Sequence, residues 1–332
     1  MRTAHEMNAR PATGKFLALL AALAVLVAAP GILRAQQYPV KTVRFIVGFP
    51  AGGNTDVMAR VIANRLSAYW EQSVIVDNRP GADASIAMGI VAKSPPDGYT
   101  LYLIQSGVAI NPALYKNVPF DPIKDFAPIT LIGHIPSLIA IHPSVPAKNM
   151  REFIAFARAR KGELSYGSTS SPTMLATELF KKAAGIDIVR INFKGASPAL
   201  TALMTGDIQL VISGIGTLMP LAKAGKVRVI AITSQKRSSQ APGIPTAIEG
   251  GVPGYVASVW YGIAAPGATP RAIVDRVNAD VRKLLAEPEV RQRLLGQGIA
   301  LAPNTPEQFA EMIRAEIAKW DKVVKESGVR ID

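Results

Sequence analysis

The stretch Phe45-Ile-Val-Gly-Phe-Pro-Ala-Gly-Gly-Asn-Thr-Asp56 decides the fold that this sequence predicts. Residues 43–49 form a short apolar run rich in β-branched side chains, which is typical of a strand buried on both faces. Pro50 ends the strand because it has no N–H group to donate. Gly52 and Gly53 then permit a tight turn, and an amphipathic helical pattern follows.

This order of strand, glycine turn and helix start presents backbone N–H groups and the positive end of a helix dipole. Asn54, Thr55 and Asp56 are residue types that favour a helix start. We interpret Pro50–Asp56 as an anion-binding loop that needs no charged side chain. The alternative is a tight β–α turn without a ligand, since short glycine motifs often match by chance.

The chain has 332 residues, enough for two domains of ordinary size. Its beginning has the order of a secretory signal peptide: basic residues up to Lys15, an apolar run over 16–29, and a cleavage site after Ala35. An uncleaved anchor is the alternative, but the run is shorter than the ~20 residues that a membrane span needs. We therefore expect a signal peptide over residues 1–35 and a soluble mature protein in the periplasm.

Cysteine content and charge narrow the possible functions. The sequence has no cysteine, which excludes disulfides, thiolate ligands and a lipid anchor on cysteine. The formal net charge of +13 would suit a protein that binds nucleic acid or another polyanion. However, the basic residues are scattered and aromatic residues make up only 6%, so we expect no nucleic-acid partner. A basic surface would instead steer small anions toward the protein.

The predicted elements form two similar series. Residues 43–115 follow a β-α-β-α-β pattern, which indicates a parallel sheet with helices on its faces. Leu164–Pro172 then repeats the pattern of residues 43–56: a strand, a loop of glycine and hydroxyl residues, and a helix from Thr173. We expect the chain to cross into a second lobe near His134–Pro136 and to return within Tyr255–Ala264. The predicted α/β fold therefore has two lobes, lobe 1 over residues 36–134 and 258–332 and lobe 2 over residues 135–257.

The residues that most catalytic motifs require are scarce. His5 lies in the signal peptide, and His134 and His142 have no partners at zinc-ligand spacing. Gly195-Ala-Ser-Pro-Ala199 is the nearest match to a nucleophile elbow, but no histidine follows it, so the usual Ser…Asp…His order is impossible. No nucleotide-binding glycine motif is present. We expect no enzyme, no cofactor and no metal, with an exported enzyme using the same cleft as the alternative.

Two lobes joined by crossing segments form a cleft that closes about a hinge. In open α/β sheets, ligands bind at the carboxyl ends of the strands, where both glycine-containing loops are predicted. Together with the signal peptide, this organisation suggests a periplasmic solute-binding protein.

Six motifs, in order along the chain, carry a specific family resemblance. The sequence resembles the extracytoplasmic solute-binding proteins of tripartite tricarboxylate transporters, the Bug family, over nearly the whole mature chain. The motifs are Phe49-Pro-Ala-Gly-Gly-x-x-Asp56, Asn78-Arg-Pro-Gly81, Pro96-Asp-Gly-Tyr-Thr-Leu101, Asn111-Pro-Ala-Leu-Tyr115, Phe193-Lys-Gly195 and Trp260-x-Gly-x-x-Ala-Pro266.

The resemblance implies two Rossmann-like lobes of the periplasmic binding protein type II kind, joined by a hinge around a cleft. It implies capture of a small organic anion, which is a mono-, di- or tricarboxylate or an acidic amino acid. The loops of the first and second lobes are expected to bind this anion from both sides. The implied partners are the membrane subunits of a transporter or a sensor protein, and we expect a monomer. The candidate ligand-binding residues are Phe49, Ala51, Gly52, Gly53, Asn54, Asp56, Ser106, Asn111, Gly167, Ser168, Thr169, Ser170, Ser171, Lys194, Gly195 and Ser213.

Three departures from the family pattern affect the second lobe. The loop over residues 166–174 is shorter than the common form, Met174 stands where many relatives have histidine, and Ser213 stands where many have aspartate. We expect the grip on a carboxylate to survive these changes. The distal part of the ligand stays open, because these positions are expected to shape that end of the pocket.

Overall fold

The computed structural model describes residues 38–169, 171–193 and 195–328, except for the side chains of Asn54 and Ser327. The chain divides into the units Met1–Val40 and Lys41–Asp332, and the second unit carries all the elements described below. The predicted signal peptide, residues 1–35, lies outside the described residues.

Strands and helices mostly alternate along the described chain. The strands are β1 Val43–Val47, β2 Val74–Asn78, β3 Thr100–Gln105, β4 Phe126–Ile141, β5 Ser165–Ser168, β6 Val189–Asn192, β7 Leu210–Gly214, β8 Arg228–Ile232, β9 Ser258–Pro266 and β10 Ala300–Leu301. The helices are α1 Asn54–Trp70, α2 Ser85–Ala92, α3 Gly107–Leu114, α4 Met150–Ala159, α5 Ser171–Ala184, α6 Ala196–Thr205, α7 Ile215–Lys223, α8 Arg271–Ala286, α9 Pro288–Gly296 and α10 Pro306–Ser327.

The sheet has two halves with matching strand orders. The first half runs β2-β1-β3-β9-β4, with β1, β2 and β3 parallel and β9 antiparallel to both of its neighbours. The second half runs β6-β5-β7-β4-β8, with β5, β6 and β7 parallel and β4 antiparallel to β7 and β8. Each parallel strand is followed by a helix, so β1-α1 and β5-α5 occupy equivalent places. This arrangement agrees with the repeated series that the sequence predicts.

Strand β4 belongs to both halves. Residues 126–136 pair with β9, and residues 137–141 pair with β7 and β8. The sequence predicts two separate apolar runs here, at 129–132 and 138–141, whereas the structure has one continuous strand. The intervening residues stay extended because β9 pairs with them on one side and β10 pairs with Gly133 and His134. The change of partners falls at Pro136–Ser137, beside the predicted crossing, while the lobe boundaries themselves stay a prediction.

The loops of the second half are shorter than the sequence suggests. The two glycines within residues 213–216 predict a loop there. In the structure, Ser213 lies in β7 and pairs with Leu138, and α7 begins directly after that strand. Helix α5 begins at Ser171, two residues before the predicted start at Thr173. Pro172 is compatible with this earlier start, because the first turn of a helix does not need its missing N–H.

The core of the first half packs around the strand pair β9 and β4. The rings of Trp260 and Phe309 meet edge to face, with 5.5 Å between their centroids. Trp320, in the last helix, is 2% exposed and belongs to the same cluster. None of the helices in the described part of the chain is long and apolar enough to cross a membrane.

Gly262 shows how tightly this core is filled. A Cβ atom there would lie 2.2 Å from Phe309 Cζ and 2.7 Å from the carbonyl oxygen of Thr130. Gly262→Ala should therefore lower the free energy of unfolding by about 1–3 kcal/mol, the usual cost of overpacking. Urea unfolding followed by circular dichroism measures this change.

Gly296→Ala is the matched control, because Gly296 is the exposed last residue of α9 and a Cβ there meets nothing within 4 Å. This variant should unfold within about 0.5 kcal/mol of the wild type. Equal stability of the two variants would contradict the packing described for Gly262.

Candidate functional site

The predicted anion loop lies between the end of β1 and the start of α1. Gly53 is the N-cap of α1, and the backbone ladder of the helix starts with Val57 N–H donating to Gly53 O at 3.0 Å. The N–H groups of residues 54–56 therefore precede the ladder and have no acceptor within the helix. Gly52 has a φ of +82°, which favours glycine, while Gly53 has a φ of −78° and could carry a side chain. The loop thus has the backbone donors that an anion site needs.

The carboxylate of Asp56 holds this loop in shape. Its Oδ2 accepts hydrogen bonds from Gly52 N–H and from Arg60 Nε, both at 2.9 Å, and the residue is only 3% exposed. The hydrogen bond from Arg60 holds the pKa of Asp56 below its usual range, and the Gly52 N–H lowers it further. Asp56, one of the candidate ligand-binding residues, therefore acts on the loop's own backbone.

A second polar side chain, Asn78 at the end of β2, supports the loop from the other side. Its Nδ2 donates to Phe49 O at 2.9 Å, and its Oδ1 accepts from Arg60 Nη2 at 3.4 Å. The sequence analysis assigns no role to Asn78, although it opens one of the six family motifs. Its place in that motif is the signal that could have identified it.

The turn at residues 106–107, between β3 and α3, contributes the next part of the site. Ser106 is 1% exposed, its N–H donates to Trp260 O at 3.2 Å, and its buried Oγ has no hydrogen-bond partner among the described residues. Asn111, fully buried in α3, donates from Nδ2 to Asp83 O at 3.0 Å and to Ser85 Oγ at 2.9 Å. Ser106 thus offers an unused hydroxyl, while the amide nitrogen of Asn111 fixes the turn before α2.

Strand β9 connects the opening loop with Ser106. Tyr261 of β9 pairs with Gln105, the residue before Ser106. Burial raises the pKa of Tyr261, and an interaction with the hydroxyl of Thr55 lowers it. Because Thr55 is in the first turn of α1, one strand sets the positions of both parts of the first-half site. Sequence reasoning missed Tyr261, which stands inside the last of the six motifs.

The second-half loop is contributed by β5 and α5. Gly167 and Ser168 belong to β5, and a Cβ at Gly167 would lie 2.8 Å from Ile208 Cδ1, so this glycine serves the packing of the sheet. Thr169 Oγ1 and Thr173 Oγ1 are 3.2 Å apart and hydrogen-bonded. Ser171 is 5% exposed in the first turn of α5. Ser170, another candidate, lies outside the described residues.

The structure brings the first turn of α5 against α3. Ser106 and Ile110 face Pro172 and Thr173 across a cavity of about 10 Å³, which has room for about one water molecule, and Trp320 also lines it. Nearby, Tyr115 OH and Ser171 Oγ are 3.5 Å apart. The serine of the first half and the helix start of the second half thus share one cavity, while the predicted grip by the two loops stays a prediction.

Among the described candidate ligand-binding residues, only Ser106 lines this cavity. Gly195 is the N-cap of α6 with a φ of +106°, and Ser213 is part of the β7 ladder. Lys194 lies outside the described residues. Met174 is 3% exposed and belongs to the core of the first half, where its Sδ accepts from Arg190 Nη1 at 2.7 Å.

Within the described residues, no group of three or more histidine, cysteine, aspartate and glutamate side chains could hold a metal ion. The arrangement instead offers backbone amides, hydroxyl groups and a helix N-terminus on each side of the cavity. Such groups bind anions by hydrogen bonds and dipoles.

Comparisons with known proteins show the family to which the chain belongs. The family model described as tripartite tricarboxylate transporter family receptor matches residues 58–329. The chain is 34% identical to protein BugT of Bordetella pertussis over 320 residues, which cover 94% of this chain and 98% of BugT.

Two solved structures from Rhodopseudomonas palustris are also similar. Rpa4515 with adipate shares 36% identity at a TM-score of 0.77, covering 88% of this chain and 99% of that one. MatC with bound malate shares 32% identity at a TM-score of 0.72, covering 86% of this chain and 100% of that one. These similarities confirm the predicted α/β fold of the type II-like binding proteins.

The Asp56 interactions lead to a pH-dependent prediction. Asp56→Asn should lower the free energy of unfolding at pH 7 by about 1 kcal/mol, because charge-assisted hydrogen bonds to Gly52 and Arg60 become neutral ones. Since folding depresses the pKa of Asp56, its contribution is fully present above the ordinary aspartate value of 3.8 and is lost as the pH falls through the lower folded value. In urea unfolding, the gap between wild type and variant should therefore close in acid.

Asp275→Asn is the matched control. Asp275 also pairs with an arginine four residues away, Arg271, but the pair is exposed and no loop depends on it. Its loss should cost less than about 0.5 kcal/mol. A gap for Asp56→Asn that widens as the pH falls would contradict the role of this carboxylate.

Proposed function

The chain belongs to the tripartite tricarboxylate transporter receptor family, and we propose that it is a periplasmic receptor that captures a small organic carboxylate for membrane transport. The carboxylate binds between the Pro50–Asp56 loop with Ser106 on one side and the first turn of α5 on the other. The receptor then presents it to the membrane subunits of a transporter.

The observation that carries this proposal is the meeting of two helix N-terminal turns at one cavity. Ser106, at the N-cap of α3, and Pro172, in the first turn of α5, line it from opposite halves of the sheet. Both helices direct their positive ends and first N–H groups toward this region, which stabilises a negative charge placed there. The nearby unused hydroxyl of Ser106 adds a donor for a carboxylate oxygen.

The relatives support a carboxylate as the class of ligand. Rpa4515 is described with adipate and MatC with malate, two dicarboxylates on chains more than 30% identical to this one. In this chain the motif from Phe49 to Asp56 forms a loop of backbone donors held by Asp56 and Asn78, and such a loop recognises a carboxylate whatever chain is attached to it. The distal part of the ligand is therefore free to differ between relatives.

Ligand screening by thermal denaturation tests the function directly. Adipate or malate, whichever binds, should stabilise the protein by about 2.7 kcal/mol at a hundred times its Kd. Calorimetry should give one site per chain, and NMR should recover the acid chemically unchanged after long incubation. Conversion of the acid would support an exported enzyme instead, and the absence of any response across a panel of small carboxylates would overturn the proposal.

Gly53 offers a steric test of the site. A Cβ there meets only Pro50 O, at 3.5 Å, so the backbone tolerates a side chain that would project over the N–H groups of the loop. Gly53→Ala should weaken binding of the screened carboxylate at least ~10-fold, which corresponds to about 1.4 kcal/mol. Gly53→Val should abolish binding in calorimetry while the circular dichroism spectrum stays unchanged.

Gly296→Val is the control, since Gly296 is exposed in α9 and a Cβ there meets nothing within 4 Å. Its affinity should equal that of the wild type. Unchanged affinity in Gly53→Val would remove the opening loop from the site.

A further inference from the structure

A second cavity, which we name the Lys236 cavity, lies between β4, β10 and the segment over residues 234–240. Its volume is about 480 Å³, which is within the range of small-molecule sites. Of the residues that line it, only Ser258 also lines the small cavity between α3 and α5. No described candidate ligand-binding residue lines it. The Lys236 cavity is therefore a neighbour of the candidate carboxylate site and is separate from it.

Both halves of the sheet contribute to the wall of this cavity. His134 of β4 and Ala300 of β10 come from the first half, and the segment over residues 234–240 follows β8 of the second half. Gln240 Nε2 donates to Leu295 O at 2.5 Å, which ties that segment to α9. The cavity therefore lies where the two halves of the sheet meet.

The segment over residues 234–240 brings one uncompensated positive charge to the cavity. Lys236 is exposed and has no ion pair with any described residue. In contrast, Arg237 Nε donates to both carboxylate oxygens of Glu249, at 2.9 Å and 3.1 Å. The described residues that line the cavity include no aspartate or glutamate. The lining is therefore positively charged, which favours an anion.

Polar groups without partners add hydrogen-bond donors to this charge. The ring of His134 lines the cavity, and its buried Nδ1 has no partner among the described residues. Burial lowers the pKa of His134, so the ring is uncharged at pH 7 and donates one hydrogen bond. The hydroxyls of Ser239 and Ser258 make no hydrogen bond within the described chain. These groups suit the several oxygen atoms of an anionic head group.

The rest of the wall is apolar, and it sets the kind of anion. The apolar side chains are those of Pro136, Val256, Leu295, Ile299 and Ala300. A bare inorganic ion would leave this surface in contact with water. An anion with an apolar body gains by covering the same surface.

We propose that the Lys236 cavity is a second ligand site, which binds an organic anion with one charged group on a compact apolar body. The charged group pairs with Lys236 and accepts from the nearby hydroxyls and the imidazole. The apolar body lies against the side chains of α9 and β10. This site goes beyond the proposed function and does not depend on it, because the two sites share only Ser258.

Binding of 4-toluenesulfonate tests the site in the wild-type protein, because this ion combines a charged head group with a compact ring. Titration calorimetry should show saturable binding at one site per chain. 4-Toluenesulfonamide has nearly the same shape but no charge at pH 7, and inorganic sulfate lacks the apolar body. Each of these should bind at least ~5-fold more weakly, since each lacks one of the two features.

Lys236→Gln tests the source of the charge. It should weaken binding of the sulfonate ~5-fold, the upper range for an exposed ion pair, and leave binding of the sulfonamide unchanged. Lys226→Gln is the matched control, because Lys226 is also exposed and has no ion pair with any described residue, but does not line the cavity. This control should bind the sulfonate as the wild type does.

Ala300→Trp tests the position of the site by filling it. Ala300 is exposed and lies directly opposite His134 in the antiparallel pair of β10 and β4, so the two side chains are neighbours on one face. An indole ring there should occupy the cavity and abolish saturable binding of the sulfonate. The circular dichroism spectrum should stay unchanged, since the side chain replaces an exposed one.

Gly53→Val separates this site from the candidate carboxylate site. Because Gly53 does not line the Lys236 cavity, this variant should bind the sulfonate as the wild type does. Loss of sulfonate binding in Gly53→Val, with wild-type affinity in Lys236→Gln and Ala300→Trp, would place the sulfonate in the carboxylate site and overturn the inference. The absence of saturable binding, or equal binding of sulfonate and sulfonamide, would overturn it too. Failure of all small carboxylates to bind would refute the proposed function alone.

Discussion

The hydrogen-bond ladder of β4 is the constraint on which the rest of the molecule depends. This strand pairs with β9 over its first part and with β7 and β8 over its last five residues. One continuous strand therefore fixes the positions of both halves of the sheet. Strand β9, paired with both β3 and β4, then sets the candidate site, since Trp260 O accepts from Ser106 N–H and Tyr261 meets Thr55. The groups that would hold a ligand are positioned by strands that lie in the centre of the sheet.

Side chains and backbone have different roles within the candidate site. Asp56, Asn78 and Asn111, all members of the family motifs, direct their polar atoms at nearby loops and turns. The donors that remain for an anion are backbone N–H groups and hydroxyls, which carry no full charge. Arg60 offsets the negative charge of Asp56, so this carboxylate does not repel an anion at the loop. Fixing the donors before the ligand arrives lowers the cost of ordering them on binding.

Much of this organisation is readable from local sequence signals. The strand, glycine turn and helix start at residues 43–56 follow from periodicity and glycine chemistry. The break between two apolar runs coincides with the point at residues 136–137 where β4 changes partners, while the crossing between lobes stays a prediction. The continuity of β4 could not be predicted from the sequence, because it depends on pairing with β9 and β10, which are distant along the chain. The bracing role of Asn78 was hidden for the same reason, because its partner Phe49 is distant in sequence. The partners of Asp56, Gly52 and Arg60, are near in sequence, but a carboxylate in this loop fits a ligand contact equally well. The turn at residues 82–84 has positive φ values at three successive non-glycine residues. Because none of the three is glycine, the sequence does not indicate this conformation.

The small cavity between Ser106 and the first turn of α5 has a consequence for the rate of capture. A space of about 10 Å³ holds a water molecule, whereas a diacid of several carbons needs a far larger one. Entry at this point therefore requires α3 and α5 to separate first. Association then depends on how often the two helices part, as well as on diffusion, and falls below the rate of a preformed open site. For a ligand in the proposed site, the same contact would also delay release, so residence time and uptake rate would depend on one helix–helix contact.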